Sequence, residues 1–285
     1  MDIAAVYDIP LSEVSGLGQR TRRGGPQLLA VGDADFTVML TDMGAGPPRF
    51  EPADLRELVE DEAATDDSEW EAADGDGTGR IFVLQENPSA VFVLAPELDE
   101  VVATIDLDLE PPKELEAEWD PAPNSQAEGL VLLENGHVLV AKEKDPAVLI
   151  EFGPPSEDAR GVRPELLFSN RAAFPLPDDR RPTFRVLRVW RLDPQANRRI
   201  DDISDVAVGP DDRLYILSDE SRCIARVEPD LAPEQERLSI TEVWDFPEKL
   251  RQPEGLVIKD DLTPIVAIDR PEREQNLFLL SSLAR

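Results

Sequence analysis

The chain has 285 residues, with 60 Asp and Glu against 29 Lys and Arg and a net charge of −31. Apolar residues make up 41%, enough for a packed core, so a disordered acidic tail is excluded, and the charge opposes any surface that neutralises nucleic-acid phosphates or anionic lipid. One cysteine, Cys223, and one histidine, His137, rule out a disulfide framework, a multi-thiolate cluster and every His-pair metal motif.

The opening residues, Met1 to Asp8, show no basic stretch followed by an apolar run, and no segment reaches the roughly 18 apolar residues of a membrane helix. The expectation is a cytoplasmic protein with neither a membrane nor a nucleic-acid partner. Its 24 Arg and 5 Lys, amid so many acids, suit either concentrated salt or a GC-rich genome; stability in low and molar salt separates the two.

Strand-turn-strand units then recur along the chain. Glu13 to Leu17 leads across a Gly/Arg turn to Leu28 to Asp33, and Asp67 to Glu71 leads across Asp74 to Gly79 into Ile81 to Glu86. Three clearer copies follow: Ala127 to Leu133 with His137 to Glu143, Ile203 to Val208 with Arg213 to Asp219, and Pro253 to Ile258 with Pro264 to Asp269. In these three the opening residue (Glu128, Ser204, Glu254) lies 15 positions before an acid (Glu143, Asp219, Asp269). Third apolar strands are expected at Thr37 to Leu40, Ala90 to Leu94, Val148 to Phe152, Cys223 to Val227 and Leu277 to Leu280. Fourth strands are expected at Val101 to Leu107, Phe184 to Leu192 and Leu238 to Phe246.

Five copies, anchored near positions 15, 69, 128, 204 and 254, predict an all-β chain forming one domain over residues 1–285: a five-bladed β-propeller. The last copy stops at its third strand, and the N-terminal segment Ala4 to Ile9 supplies the fourth, closing the ring. Six blades are the alternative, if residues 155–200 hide a degenerate copy.

The segments Glu128 to Leu130, Ala141 to Pro146, Leu217 to Arg222 and Pro253 to Leu256 resemble the SdiA-regulated (YjiK-like) family of bacterial proteins. The resemblance implies a five-bladed propeller with a calcium ion at a shared site and no settled enzymatic activity. Two positions depart from the pattern: Trp70 and Asp205 stand where a Gly follows the anchor elsewhere.

In a propeller the first strand of each blade lines the central channel, so the opening residues Ser15, Glu69, Glu128, Ser204 and Glu254 form a ring at one mouth. The acids ending the second strands, Asp33, Glu86, Glu143, Asp219 and Asp269, return to the same face. Glu side chains converging on a narrow channel raise one another's pKa, and a hard cation with oxygen ligands relieves this. The expected site is therefore Ca2+ held by Glu69, Glu128 and Glu254, with Ser15, Ser204 and the five second-strand acids available to a ligand. The competing reading has these acids paired with arginines or accepting strand-end N–H groups.

Other motifs carry less chemistry. Asp74 to Gly79 imitates the start of an EF-hand loop but fails at its twelfth position, Gln85, and reads as a solvated hairpin turn. His137 reads as a surface turn residue, and Cys223 as a small buried hydrophobe. Insertions at 41–66, 110–124 and 153–200 are expected on the mouth face, with short helices at Pro52 to Glu60 and Lys113 to Trp119. Arg160, Arg163, Arg171, Arg180 and Arg181 would make that lid locally cationic.

These features predict a calcium-binding propeller with a small-ligand site at its mouth, hydrolysing an ester, lactone or phosphoester with a ring carboxylate such as Glu69 as general base. The alternative is a non-catalytic, calcium-stabilised scaffold that binds a ligand or a protein.

Overall fold

The computed structural model describes residues 1–22, 24–44, 46–63, 65–109, 126–168 and 172–284. After β1 (Ile3–Tyr7), the first antiparallel meander runs through β2 (Val14–Arg22), β3 (Gly25–Gly32), β4 (Thr37–Asp42) and β5 (Glu51–Asp54), followed by helix α1 (Arg56–Ala63). The second comprises β6 (Trp70–Gly75), β7 (Ile81–Gln85), β8 (Ala90–Leu94) and β9 (Val101–Asp108). The third comprises β10 (Ala127–Leu132), β11 (Val138–Lys142), β12 (Val148–Gly153) and β13 (Thr183–Leu192). The fourth contains β14 (Asp205–Val208), β15 (Leu214–Ser218), β16 (Cys223–Val227) and β18 (Ile240–Asp245), with the two-residue β17 (Arg237–Leu238) pairing instead with β13. The last contains β19 (Pro253–Ile258), β20 (Pro264–Ile268) and β21 (Leu277–Leu280), and β1 pairs with β21 as its outermost strand.

Four of the strands that follow an opening strand, such as Ile-Phe-Val-Leu-Gln in β7 and Val-Leu-Val-Ala-Lys in β11, are buried along their whole length because both faces pack against neighbouring meanders, and the fifth, β3, is buried from Leu28 onward. The outermost strand β1 alternates between half-buried and exposed residues instead. Five apolar clusters fill the gaps between consecutive meanders, and one of them joins Val257, Ile265 and Ala267 of the last meander to Leu17, Leu28 and Ala30 of the first. The opening strands touch in the cyclic order β2, β6, β10, β14, β19 and back to β2, around a channel only about 30 Å3 in volume. Their approach requires residues without side chains: a Cβ on Gly255 would lie 2.8 Å from the Leu17 nitrogen, and one on Gly16 2.8 Å from the Ala72 Cα. The architecture is that of a β-propeller.

Three expectations about the insertions change. Glu51–Asp54 is a strand, not the start of a helix, because it takes the outer place in the first meander with Thr37 opposite Asp54. The helix follows at Arg56–Ala63, with Leu55, Val59 and Ala63 turned into the core between the first two meanders. The described residues of the link from β12 to β13, 154–168 and 172–182, lie at the end of the molecule opposite the strand openings. There Leu133 pairs with Leu167, and Gly77 donates its N–H to the Ala172 carbonyl at 2.8 Å. Arg160, Arg163, Arg180 and Arg181 therefore do not cover the mouth; Arg180 instead reaches Glu100, and Arg181 reaches Asp106 of β9, the strand whose end pairs with β13. Within residues 155–200 the described elements are β13 and two 3-10 turns, Pro164–Leu166 and Ala196–Arg198. The expected helix at Lys113 to Trp119, the rest of the 110–124 insertion, and Arg171 lie outside the described residues.

Candidate functional site: a carboxylate ring at the channel mouth

The opening strands begin with a shared irregularity. In β2, β6, β10 and β19 the pairing register slips by one residue, leaving Ser15, Glu71, Glu128 and Glu254 as extra residues that the ladder skips. The residue after each slip sits opposite a second-strand partner: Ala72 faces Leu84, Gly129 faces Ala141 and Gly255 faces Ala267, each twelve positions on. Asp205 faces Leu217 at the same spacing, so Ser204 is the fourth meander's equivalent. The second meander therefore contributes Glu71 to the ring, where the sequence reading chose Glu69. The signal was present: Glu71 lies 15 residues before Glu86, the spacing that relates Glu128 to Glu143 and Glu254 to Asp269. With this register the apparent Trp70 departure disappears, because the small residue Ala72 follows Glu71.

Glu69 sits two residues earlier, on the rim, in a left-handed backbone conformation (φ 51°) that Glu13 and Gln252 share at matching positions. Its N–H donates to the Asp33 carbonyl at 2.9 Å, and its carbonyl accepts the Glu86 N–H at 2.9 Å. Glu13, Asp33, Asp67, Glu69, Glu71, Glu86 and Glu128 surround a cavity of about 440 Å3 at the mouth.

Electrostatics sets the ring apart. Burial, and then the neighbouring carboxylates, push Glu71, Glu128 and Glu254 well above the ordinary range; Glu128 is raised by Glu71 and Glu254, and Glu254 in turn by Asp219, Glu143 and Glu71. Each keeps some contact with water at the mouth. The charged groups that dominate their surroundings are all acidic. Around them, burial raises Asp33 to about 6 and Glu86 to about 7, the latter despite an N–H bond from Gln126 at 2.9 Å. Asp219 and Asp269 are also raised by burial, and Asp269 has a buried Oδ1 without a partner among the described residues. Glu143 differs, because Lys144 lies 3.0 Å away and also reaches Glu220.

The two ring serines are tied into the framework. Ser15 Oγ donates to the Trp70 carbonyl, and Ser204 Oγ donates to Asp202 Oδ2 at 3.2 Å. Asp202, which the sequence reading missed, is fully buried and accepts the Asp219 N–H at 3.0 Å and the Glu220 N–H at 3.2 Å.

Two more buried acids occupy the channel. Asp74 of β6 accepts the Leu132 N–H of β10 at 3.4 Å, and Asp205 of β14 accepts the Leu256 N–H of β19 at 2.7 Å, so each bridges two opening strands. Burial raises Asp74 to about 7 and Asp205 well above its usual range. The Asp74–Gly79 turn is thus not the solvated loop expected. Asp76 is fully buried, pairs with Arg80 at 2.5 Å and accepts N–H groups from Thr78, Arg80 and Phe174. His137 is likewise buried rather than superficial: Nδ1 lies 2.6 Å from Glu151 and Nε2 3.2 Å from Glu157, at the end remote from the ring. The loop bearing Glu157 covers it, which a local turn pattern does not reveal. Cys223 is buried as expected, and burial lifts its thiol to about 12.

The ring's chemistry fits a hard cation: oxygen donors and clustered charge, with other carboxylates as the dominant charged neighbours. Among the described residues, however, no three His, Cys, Asp or Glu side chains already stand as a metal-binding group. No helix of the described residues is long and apolar enough to cross a membrane.

No curated protein matches the sequence. Among solved structures, the chain is similar to the PQQ-bound aldose sugar dehydrogenase from Streptomyces coelicolor, with a TM-score of 0.51, 9% identity, and 97% of this chain and 96% of that one covered. It is also similar to virginiamycin B lyase from Staphylococcus aureus, with a TM-score of 0.45, 10% identity and 92% of this chain covered; the match spans 66% of the lyase chain. At such identities the likeness speaks for the fold alone. The model of the SdiA-regulated family matches residues 56–273, most of the sequence, and the chain belongs to that family.

Proposed function

We propose that the protein is a five-bladed propeller that binds a calcium ion through Glu71, Glu128 and Glu254 and receives a small ligand in the adjoining 440 Å3 cavity. Five meanders around one channel, with β1 completing the last, support the blade count. The observation that carries the metal reading is a set of three inward glutamates whose dominant neighbours are other carboxylates. Glu69 stands on the rim of the same cavity, where it and the second-strand acids Asp33 and Glu86 would contact the ligand rather than the ion.

If the site is catalytic, a bound divalent cation supplies Lewis acidity toward a carbonyl or phosphoryl oxygen of an ester, lactone or phosphoester. The chain's own contribution would be to orient the substrate against the rim and to accept a proton on a carboxylate such as Glu69 or Glu86. One observation favours the second reading, a non-catalytic calcium-stabilised scaffold: the sole histidine is buried at the opposite end, and both ring serines already donate to framework acceptors. A cytoplasmic location belongs with this proposal, and the net charge of −31 supports the lack of nucleic-acid or anionic-membrane partners.

The test is calcium titration of exhaustively dialysed protein by calorimetry, alongside an esterase, lactonase and phosphodiesterase panel on wild type and Glu128→Gln. Stoichiometric binding lost in the variant supports the metal site. Activity lost without unfolding supports catalysis, and calcium-dependent melting without activity supports the scaffold. Absence of binding rejects both.

A further inference from the structure

We propose that a second cavity, at the end remote from the carboxylate ring, binds a small carboxylate with an apolar body the size of one ring or a short acyl chain. It measures about 160 Å3 and lies between the first and last meanders. One wall is apolar, formed by Leu28 of β3, Ile265 of β20, and Leu277 and Leu279 of β21, and the end of β4 with the loop after it forms the other. That volume matches the roughly 150 Å3 apolar cavity that accepts benzene. The wall chemistry therefore asks for a hydrophobic body rather than a lone ion.

The polar groups at its edge decide the head group. Asp42 already accepts the Gln27 amide at 2.9 Å, and Thr41 Oγ1 accepts the Arg49 N–H at 2.9 Å. Lys259 has a weaker engagement, with Asp261 at 4.0 Å, beyond hydrogen-bond distance, while its own side chain is only 34% exposed. Tyr7 also lines the cavity, from β1. One cationic donor with spare capacity, Lys259, stands at the edge of an apolar hollow, and a carboxylate is the head group that accepts from it. In a chain with only 5 Lys and a net charge of −31, an anion needs such a local cation to approach at all.

The proposal is independent of the calcium reading, because it shares no residue with the ring. Benzoate, benzyl alcohol and benzylammonium are titrated into the whole protein while amide NMR spectra are followed. The expected result is binding in the order benzoate, benzyl alcohol, benzylammonium, with shifts centred on Tyr7, Thr41 and Leu279. Lys259→Gln should weaken benzoate about tenfold and leave benzyl alcohol unchanged, the loss expected for one charge-assisted hydrogen bond. Leu279→Trp should abolish all three by filling the hollow; if that variant does not fold, the Lys259→Gln comparison decides alone. No benzoate shifts in wild type up to about 10 mM, weaker than any useful millimolar affinity, overturns the proposal. Equal binding of benzylammonium, or unchanged benzoate affinity in Lys259→Gln, does so as well.

Discussion

The two ends of the channel bury carboxylates in opposite ways. At the remote end, Asp76 meets Arg80 and three backbone N–H groups, and Glu151 meets His137 and the N–H groups of Arg160 and Gly161. At the mouth, Glu71, Glu128 and Glu254 meet other carboxylates, partly one another and partly the acids that end the second strands. Burying a charge is tolerable when a partner offsets its lost hydration. The remote acids are thus structural members, whereas the mouth acids leave an unmet demand for positive charge, and such unmet demand marks a site for a ligand.

The contrast is most sharply tested by removing one acid from each end. Asp76→Ala strands Arg80 and several N–H groups, so it should lower unfolding stability by about 3–5 kcal/mol in urea titrations, the scale of a broken buried pair. Glu128→Gln without calcium should do the reverse and raise stability, since it removes a buried carboxyl whose ionised form is opposed by burial and by the acids around it. Equal destabilisation by both would erase the distinction. Calcium comes next: at a hundredfold excess over Kd it should add about 2.7 kcal/mol to wild type, read as a melting shift that chelator reverses, and little to Glu128→Gln or Glu254→Gln.

The pH dependence has a definite sign. Asp33 at about 6 and Glu86 at about 7 lie above their usual 3.8 and 4.5, so the folded state holds protons that the unfolded chain has released. Calcium-free stability should therefore fall as pH rises from about 4 to about 7, and saturating calcium should flatten that fall. A rise with pH in chelator would contradict the uncompensated ring. The smallest effect separates two neighbours: Glu71→Gln should weaken calcium at least about tenfold, the loss expected when one charged ligand is removed, while Glu69→Gln should change it by less than about twofold.

That last pair also shows how far the residues can be read unaided. The repeat, its strand openings at Glu128 and Glu254, and the N-terminal strand that completes the final sheet were all legible, because alternation and Asn-Gly or Asp-Asp turns are local signals. Glu71 was legible too, through the 15-residue spacing, but the more conspicuous Asp67 to Glu71 run drew the anchor two positions early. The edge strand Glu51–Asp54 was not, since Glu-Pro-Ala-Asp has no strand pattern and is held only by β4 beside it. Nor was the burial of His137, Asp76 and Asp202, which depends on loops or strands distant in the chain.

The sequence by itself determined an all-β repeat, an excess of acid and a recurring carboxylate at the head of several opening strands, because these follow from period and composition. Only the tertiary structure decided which acids are partnered. A carboxylate's energy depends on what lies within a few ångströms, and ring closure chooses those neighbours from strands tens of residues apart. The same closure sent the described part of the link from β12 to β13, with Arg160, Arg163, Arg180 and Arg181, away from the mouth, since an odd number of strand reversals places a third-to-fourth strand link at the other end.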